Sequence, residues 1–308
     1  MNLKSSKKLL IIGGPTAVGK SEVACCVAEL LKGEIISADS MAVYKGMDIG
    51  TAKFKECMKK VKHHLIDVVE PYEYFDVKMF EEEALTAYYE IIKRDKVPIL
   101  VGGTYLYIQA FLYGIEETPE PDWKLRKRLY SIAEEKGKEY LYKKLQIIDP
   151  EYARKIHPED IRRVVRALEV FINSGKPFSK FHRWNKPRFE YVGFYLKRKW
   201  ESLKKRIEDR IRDMIKEGLL EEIRLLMERG MSFVPLQAIG YKEFIPVIKG
   251  ECGLEAGIRE AVKNTCKQAK RQIRWFRRQR WNEIDLDGLS SEEACRRVVD
   301  IYAKAEEH

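Results

Sequence analysis

A glycine-rich loop near the N-terminus combines the residue types that hold a chain of phosphates. Its sequence is Gly14-Pro15-Thr16-Ala17-Val18-Gly19-Lys20-Ser21, which fits the G-x-x-x-x-G-K-S spacing of a P-loop. The glycines let backbone N–H groups close around a diphosphate, Lys20 supplies a positive charge, and the Ser21 hydroxyl can ligate Mg²⁺. The loop alone does not show whether the phosphate is the group transferred or the group that leaves.

Asp39 is the next carboxylate that could do chemistry, in the segment IISADSMAVYKGMDIGTAK. It follows a predicted strand, and ligands of open α/β sheets bind beyond the carboxyl ends of strands, so we expect it to face the same crevice as the loop. Three roles stay open for it: support of a metal ion, a base that takes a proton from a nucleophile, or a structural cap. The strand VPILVGGT ends in Gly102, Gly103 and Thr104, without the terminal Asp that phosphoryl transferases commonly use to hold Mg²⁺. Asp67 could replace that residue, so the pattern argues against a kinase without excluding one.

The elements that position these residues follow from the apolar pattern. Five segments are predicted as strands, several of them continuously apolar, as parallel strands covered on both faces should be: KLLIIGG, GEIISADS, HHLIDVV, VPILVGGT and YVGFYLKR. Helical periodicity separates most of them, around residues 21–32, 80–93 and 199–229. This alternation predicts a P-loop NTPase-like, doubly wound α/β fold with a mostly parallel sheet.

Residues 115–190 depart from this alternation, because they show helical periodicity and no clear strand. Two segments have apolar residues near a 3.6-residue period: PDWKLRKRLYSIAEEKGKEYLYKKL and DIRRVVRALEVFINSGKP, the second ended by Gly175 and Pro177. We therefore predict an all-helical insertion domain at 115–190. The catalytic core is then formed by residues 1–114 and 191–308, and its C-terminal region is helical.

Composition limits the class of the protein. The chain has 308 residues, of which 45% are hydrophobic, so it can bury a sizeable core in one or two domains. Its net charge of +10 favours an anionic partner such as nucleic acid. No apolar run approaches the roughly 20 residues of a membrane-spanning helix, so we expect a cytoplasmic protein with no membrane partner. The six cysteines show no C-x-x-C or zinc-finger spacing, which predicts free, mostly buried thiols.

A cationic ridge runs along the last long predicted helix, within a stripe of about 120°. Its members are Lys263, Lys267, Lys270, Arg271, Arg274, Arg277 and Arg278. No acidic residue lies between Ala261 and Trp281 to neutralise this ridge, which favours contact with a phosphate backbone over a merely solvated helix face. Trp275 and Trp281 could stack on unpaired bases or be buried in the core.

Two further basic clusters lie in the predicted insertion. Residues 124–128 contain four cations, and Arg162, Arg163 and Arg166 share one predicted helix. Separated basic surfaces of this kind are typical of a protein that grips a large anionic ligand from two sides, as a folded RNA would be.

Seven segments together resemble the tRNA dimethylallyltransferases, also called tRNA isopentenyltransferases. They occur in the order of that family over essentially the whole chain: GPTAVGKS, IISADSMAVYKGMDIGTAK, HHLIDV, VGGTYLY, RRVVRALEVFINSGKP, LQAIGYKE and TCKQAKRQIRWFRRQ. The resemblance implies transfer of a dimethylallyl group from dimethylallyl diphosphate to N6 of adenosine 37, in tRNAs that read codons starting with U. Diphosphate is the leaving group in that reaction.

The resemblance also implies roles for individual residues. Asp39 is the base for the adenine amine, Thr16 and Lys20 hold the diphosphate, and Arg210 assists its departure. The loop from Gly14 to Ser21 binds the diphosphate together with Mg²⁺, and we expect a monomer. Contacts with the tRNA anticodon stem-loop are implied for Asp39, Ser40, Met41, Ala42, Thr104, Arg126, Arg162, Arg163, Val164, Val165, Arg166, Gln237, Ala238, Ile239, Gly240, Tyr241, Lys242, Lys270, Arg271, Gln272, Ile273, Arg274, Trp275, Phe276 and Arg277.

Two positions depart from the family pattern. Ala42 stands where the family usually has Gln, and it cannot hydrogen-bond an adenine edge. Tyr105 replaces a small residue, which either narrows the channel or alters a turn. Two other enzymes stay open as alternatives: an adenylate isopentenyltransferase acting on free adenine nucleotides, and a P-loop small-molecule kinase that binds ATP. The first has little use for the insertion or the cationic ridge, and the second lacks its usual strand-end Asp.

Overall fold

The chain folds into two compact units in this computed structural model. The core unit comprises residues 1–112 and 188–308, and the helical unit comprises residues 113–187. The bounds of the helical unit therefore differ by two and three residues from those predicted for the insertion, 115–190. The structure describes residues 7–115, 118–181 and 186–307, apart from the side chain of Phe233, so that residues 116–117 and 182–185 of the insertion fall outside the description.

Six strands and fourteen α-helices occur in the described ranges. The strands are β1 (Leu9–Gly13), β2 (Glu34–Ala38), β3 (His63–His64), β4 (Pro98–Gly102), β5 (Tyr191–Lys197) and β6 (Asn282–Asp285). The helices are α1 (Lys20–Leu31), α2 (Lys55–Met58), α3 (Val77–Lys93), α4 (Tyr105–Tyr113), α5 (Trp123–Lys136), α6 (Lys138–Ile148), α7 (Pro150–Ala153), α8 (Ile161–Ser174), α9 (Trp200–Lys216), α10 (Leu219–Glu228), α11 (Phe233–Leu236), α12 (Ile245–Ile248), α13 (Leu254–Phe276) and α14 (Ser291–Glu306). None of these helices combines the length and the apolar character needed to cross a lipid bilayer.

The strands form one sheet in the order β3-β2-β4-β1-β5-β6, and every neighbouring pair is parallel. This topology confirms the predicted α/β fold. Helix α1 packs against β1, β2 and β4, and α3 packs against β2 and β4. The continuous apolar run of β1 follows from this packing, because all five of its residues are buried and each buried Leu or Ile contributes about 1.5–3 kcal/mol.

Two strand assignments differ from the prediction. The segment HHLIDVV pairs with β2 only at His63 and His64, because Leu65 and Asp67 adopt left-handed backbone conformations, with φ of 61° and 55°, that turn the chain out of the sheet. Strand β6 was absent from the prediction. Only Ile284 of its four residues is buried at the sheet edge, so the sequence shows no apolar run there.

Two predicted helical segments are interrupted by glycines. The segment 199–229 divides into α9 and α10 at Gly218, whose φ of 102° is incompatible with a right-handed helix. Gly137, with φ of 83°, separates α5 from α6 in the same way. The second predicted insertion helix is continuous as α8 and ends at Gly175, as expected.

The cysteines contradict the prediction of free thiols. Cys25 is bonded to Cys57 and Cys26 to Cys295, with Cα–Cα distances of 5.8 and 6.0 Å, whereas Cys252 and Cys266 are free. Adjacent cysteines on α1 point about 100° apart, so they reach partners on different elements, α2 and α14. Spacing rules for local Cys motifs do not detect such pairs, because the partners are distant in sequence.

The parallel register brings the predicted site residues together at the edge of the sheet formed by the carboxyl ends of its strands. Gly13 at the end of β1 pairs with Gly102 of β4, and Gly102 pairs with Ala38 at the end of β2. The P-loop after β1 and Asp39 after β2 therefore start at the same level. This edge is where ligands bind in open α/β sheets.

Candidate active site

A cleft of about 1090 Å³ lies at this edge, entirely within the core unit. Its walls come from the P-loop, the residues after β2, the segment 48–56, and side chains of α9 and α13. The residues singled out from the sequence that line it are Thr16, Ala17, Gly19, Lys20, Ser21, Asp39, Ser40, Met41, Thr104, Arg210 and Gln272. Asp67, which could have replaced the missing strand-end Asp, does not line the cleft. It forms an ion pair with Lys53.

The P-loop directs the start of α1 toward the cleft. Gly19 has φ of 110°, a conformation that residues with a Cβ rarely adopt, and α1 begins at the next residue. The N-terminal N–H groups of a helix and the positive end of its dipole attract anions. Lys20 Nζ donates hydrogen bonds to the carbonyl oxygens of Gly14 at 3.0 Å and Pro15 at 2.8 Å.

Two arginines that the sequence analysis missed hold the P-loop carbonyls. Arg206 Nε donates to the oxygen of Ala17 at 3.0 Å, and Arg198 Nε donates to the oxygen of Val18 at 3.0 Å. Carbonyl oxygens repel an anion, so these contacts reduce the negative potential around the loop. Arg206 precedes Arg210 by four residues on α9, and this i,i+4 spacing is the signal that could have identified it.

Asp39 uses its two carboxylate oxygens differently. Oδ1 accepts hydrogen bonds from the backbone N–H groups of Met41 at 2.9 Å and Ala42 at 3.4 Å. Oδ2 accepts no hydrogen bond from the residues that the structure describes. One oxygen thus fixes the side chain as a structural cap, and the other is left for a ligand.

Lys20, Asp39 and Arg210 influence one another electrostatically. Burial lowers the pKa of Lys20 to about 8, and the nearby Asp39 opposes this shift while Arg210 adds to it. Burial also lowers the pKa of Arg210, with Asp39 again acting in the opposite direction. Arg210 donates a hydrogen bond to the carbonyl oxygen of Thr51 at 3.4 Å, which fixes the guanidinium at the cleft wall. Two partly desolvated cations beside one carboxylate can bind an anionic group next to a proton acceptor.

The lowered pKa of Lys20 predicts a pH dependence of diphosphate binding. Lys20 is charged below about pH 8 and loses its proton above it, so binding of inorganic diphosphate in the cleft should weaken by about tenfold per pH unit at higher pH. Lys20→Met should bind weakly with a flat profile over the same range. Isothermal calorimetry from pH 6 to 10 measures this effect, with Lys59→Met, at an exposed position, as the control. A wild-type profile as flat as that of Lys20→Met would contradict the prediction.

Gln272 joins α13 to the P-loop. Its side chain is 6% exposed, its Oε1 accepts a hydrogen bond from Thr16 N–H at 2.9 Å, and its Nε2 donates to the oxygen of Gly103 at 3.0 Å. Both ends of the amide are therefore engaged inside the core unit.

Residues 42–279, which make up most of the chain, match the IPP transferase family. The chain belongs to the IPP transferase family. This match confirms the resemblance found in the sequence.

Named relatives extend the similarity to nearly the full length. The chain is 67% identical over 300 residues to a tRNA dimethylallyltransferase of Aquifex aeolicus, covering 97% of this chain and 98% of the relative. It is 52% identical over 278 residues to a tRNA dimethylallyltransferase of a Hydrogenobaculum species, covering 89% and 93%.

Two solved structures share the fold. The full-length tRNA isopentenylpyrophosphate transferase of Bacillus halodurans is 36% identical with a TM-score of 0.69, over 98% of this chain and 100% of that chain. A eukaryotic dimethylallyltransferase acting on tRNA is 31% identical with a TM-score of 0.81, over 97% of this chain and 79% of that chain.

The residues that the IPP transferase pattern relates to tRNA differ in exposure. Exposed side chains belong to Arg162, Arg163, Gln237, Lys270, Arg271, Arg274 and Arg277. Buried side chains, at 6% exposure or less, belong to Ala42, Val164, Val165, Ala238, Tyr241, Gln272 and Phe276. A buried side chain presents little surface to a ligand, so the exposed group carries the prediction of direct side-chain contact with tRNA. The assignment of these segments to tRNA contact stays a prediction.

Arg126 and Arg166 are engaged within the helical unit. Glu169 is fully buried and accepts hydrogen bonds from Arg126 Nε at 2.8 Å, from Asp122 N–H at 2.7 Å, and from the Arg166 guanidinium. These two arginines, expected at the RNA surface, are thus also structural partners of a buried carboxylate.

The two tryptophans near the end of α13 differ in burial and in packing partners. Trp275 stacks on Tyr105 with ring centroids 5.8 Å apart, so the bulky residue that departs from the family pattern packs against α13. Trp281 is 9% exposed and packs against Phe276, with centroids 5.7 Å apart. Trp281 is therefore a core residue, whereas Trp275 remains partly exposed.

Glu222 anchors the segment 48–50 at the cleft wall and was missed by the sequence analysis. Its carboxylate accepts hydrogen bonds from the N–H groups of Asp48 at 2.9 Å, Ile49 at 2.7 Å and Gly50 at 3.1 Å. It also accepts one from the Tyr241 hydroxyl at 2.7 Å, and burial together with this carboxylate raises the pKa of Tyr241. These three consecutive backbone donors converge on one carboxylate that only the folded chain brings near.

Glu222→Gln should lower kcat/KM for prenyl transfer by about 10- to 100-fold, because an amide cannot accept all four hydrogen bonds and the wall that holds Arg210 through Thr51 shifts. Steady-state kinetics with tRNA measure the effect. Glu221→Gln is the matched control, since Glu221 is exposed on the same helix and pairs only with Arg224 among the described residues. Equal kcat/KM values for the two variants would show that Glu222 does not position the cleft wall for prenyl transfer.

Proposed function

We propose that this protein transfers a dimethylallyl group from dimethylallyl diphosphate to N6 of adenosine 37 in tRNAs that read codons starting with U. The observation that carries the proposal is that Asp39 shares a cleft with Lys20, Arg210 and the P-loop, and that its Oδ2 accepts no hydrogen bond from the described residues. The named relatives act on tRNA, which supports the choice of substrate.

The proposed reaction forms a bond between N6 and the allylic carbon while the bond from that carbon to the diphosphate oxygen breaks. The exocyclic amine is a poor nucleophile, so Asp39 Oδ2 accepts its proton and its negative charge favours positive charge on the allylic carbon. Lys20 and Arg210 stabilise the negative charge that develops on the departing diphosphate. Adenosine leaves its stack to enter the cleft, at a cost of roughly a few kcal/mol.

Mg²⁺ fits the donor set of this cleft. The Ser21 hydroxyl lines the cleft at the exposed start of α1. Mg²⁺ keeps several waters and binds substrate phosphates, so one hydroxyl and the diphosphate oxygens suit it. When bound, the ion would neutralise charge on the leaving diphosphate.

We further propose that the enzyme acts as a monomer in the cytoplasm. The residues assigned to the chemistry all come from the core unit of a single chain, namely Asp39, Thr16, Lys20, Ser21 and Arg210. The proposed substrate, tRNA, is processed and used in the cytoplasm.

Product analysis tests the proposed function. The protein is incubated with dimethylallyl diphosphate, Mg²⁺ and either unmodified tRNA or AMP, and digested products are examined by mass spectrometry. We expect one C5H8 unit on adenosine 37, none on AMP, and none on a transcript with guanosine at position 37. Prenylated AMP with untouched tRNA would identify an adenylate isopentenyltransferase instead, and phosphorylation of a metabolite by ATP would identify a kinase.

A further inference from the structure

A second groove, of about 400 Å³, lies between α9 and α13 and is separate from the catalytic cleft. We call it the α9–α13 groove and define it by Trp200, Lys204, Arg259, Lys263, Lys267 and Lys270. On α9, Trp200 and Lys204 point about 120° away from Arg206 and Arg210, which line the cleft. The two helices therefore present different flanks to the two sites.

Most cations of the α9–α13 groove form no ion pair with the described residues. Five of its residues are cations, and Lys263 alone forms an ion pair, with Glu260, among the residues that the structure describes. Glu208 and Glu255 on the same two helices both pair with Arg212. Cations placed three and four residues apart on one helix face repel one another, so a bound anion would relieve this repulsion.

Trp200 gives the groove an aromatic wall. Lys270 Nζ lies 4.6 Å from the centroid of the Trp200 ring, and Val262 and Cys266 add apolar side chains beside it. A nucleobase that replaced the ammonium on this ring would stack on it, while the displaced Lys270 would bind a phosphate. An acidic peptide would use the cations but not the flat ring, so the combination favours RNA.

The groove continues into the exposed cations of α13. From Arg259 to Arg274 the helix extends about 22 Å, with Arg271 and Arg274 exposed beyond the groove. A strand of RNA lying along α13 would thus meet cations at every turn of the helix.

We propose that the α9–α13 groove binds a sugar-phosphate strand of the tRNA outside the prenyl-transfer site, with a base or ribose stacked on Trp200. This inference rests on the proposed function, since it takes tRNA as the substrate. It adds a contact region that the family pattern did not assign, formed by Trp200, Lys204 and Arg259.

Equilibrium binding of full-length tRNA at several salt concentrations tests the proposal without catalysis. Lys204→Ala combined with Arg259→Ala should weaken binding about five- to tenfold and reduce the log–log salt slope by about one to two units. Trp200→Ala should weaken binding without changing the slope, and Trp200→Phe should restore most of the loss. Circular dichroism verifies that each variant is folded.

The matched control is Lys205→Ala combined with Lys216→Ala, which also removes two positive charges but at α9 residues that do not line the groove. Groove and control variants with equal affinity and slope would overturn the proposal. Unchanged tRNA binding with loss of binding to a poly-glutamate peptide would overturn it in favour of an acidic protein partner. Failure of the wild type to prenylate tRNA would overturn the proposed function, whereas the groove would still be judged by the binding data.

Discussion

Asp39→Asn should reduce the rate of prenyl transfer by about 10²- to 10⁴-fold, while tRNA binding is retained. Asparagine keeps an Oδ1 that accepts the hydrogen bonds of Met41 and Ala42, so the local backbone is preserved. It loses the ability to take the amine proton and the charge that favours a positive allylic carbon. Single-turnover kinetics with saturating tRNA and dimethylallyl diphosphate isolate the chemical step from binding.

Asp209→Asn is the matched control for this measurement. Asp209 also lines the cleft and is a carboxylate, but it pairs with Lys205 and is half exposed. We expect its rate to remain close to that of the wild type. A near-normal rate for Asp39→Asn, or an equal loss for both variants, would remove Asp39 from its proposed role as the base.

Glu169→Ala should destabilise the helical unit by about 3–5 kcal/mol. Glu169 is fully buried, and its removal leaves Arg126 and Arg166 partly buried without their carboxylate. It also leaves Asp122 N–H without its acceptor at the start of α5. Hydrogen exchange followed by mass spectrometry measures this locally, because the amides of α5 and α8 should exchange faster while those of β1 and β4 do not.

Glu159→Ala is the control for the buried ion pair. Glu159 pairs with Lys138 in the same unit, but both side chains are exposed, so we expect a change within about 1 kcal/mol. Similar hydrogen exchange in the two variants would show that the buried Glu169 stabilises the helical unit no more than the exposed Glu159 does. A large effect confined to Glu169→Ala would also mean that weaker tRNA binding by Arg126 or Arg166 variants has a structural component.

The sequence predicted the parts of the site that depend on short-range patterns. The P-loop spacing and the apolar runs of β1, β2 and β4 are local signals, and the parallel sheet then requires Asp39 to lie beside the loop. The cationic face of α13 follows from helical periodicity, and the structure shows that the predicted cations of this face are exposed. Glycines at 137 and 218, by contrast, divided helices that periodicity alone joined.

The sequence by itself therefore determined the chemistry that the cleft can perform, because a phosphate loop and a strand-end carboxylate have fixed local requirements. Only the tertiary structure decided which polar groups are already engaged. Gln272 hydrogen-bonds the P-loop, Glu222 holds segment 48–50, and Cys26 meets Cys295 through contacts between residues far apart in the chain. The physical reason is that burial and hydrogen-bond pairing depend on packing between residues distant in the chain. Local residue types and spacings do not reveal that packing.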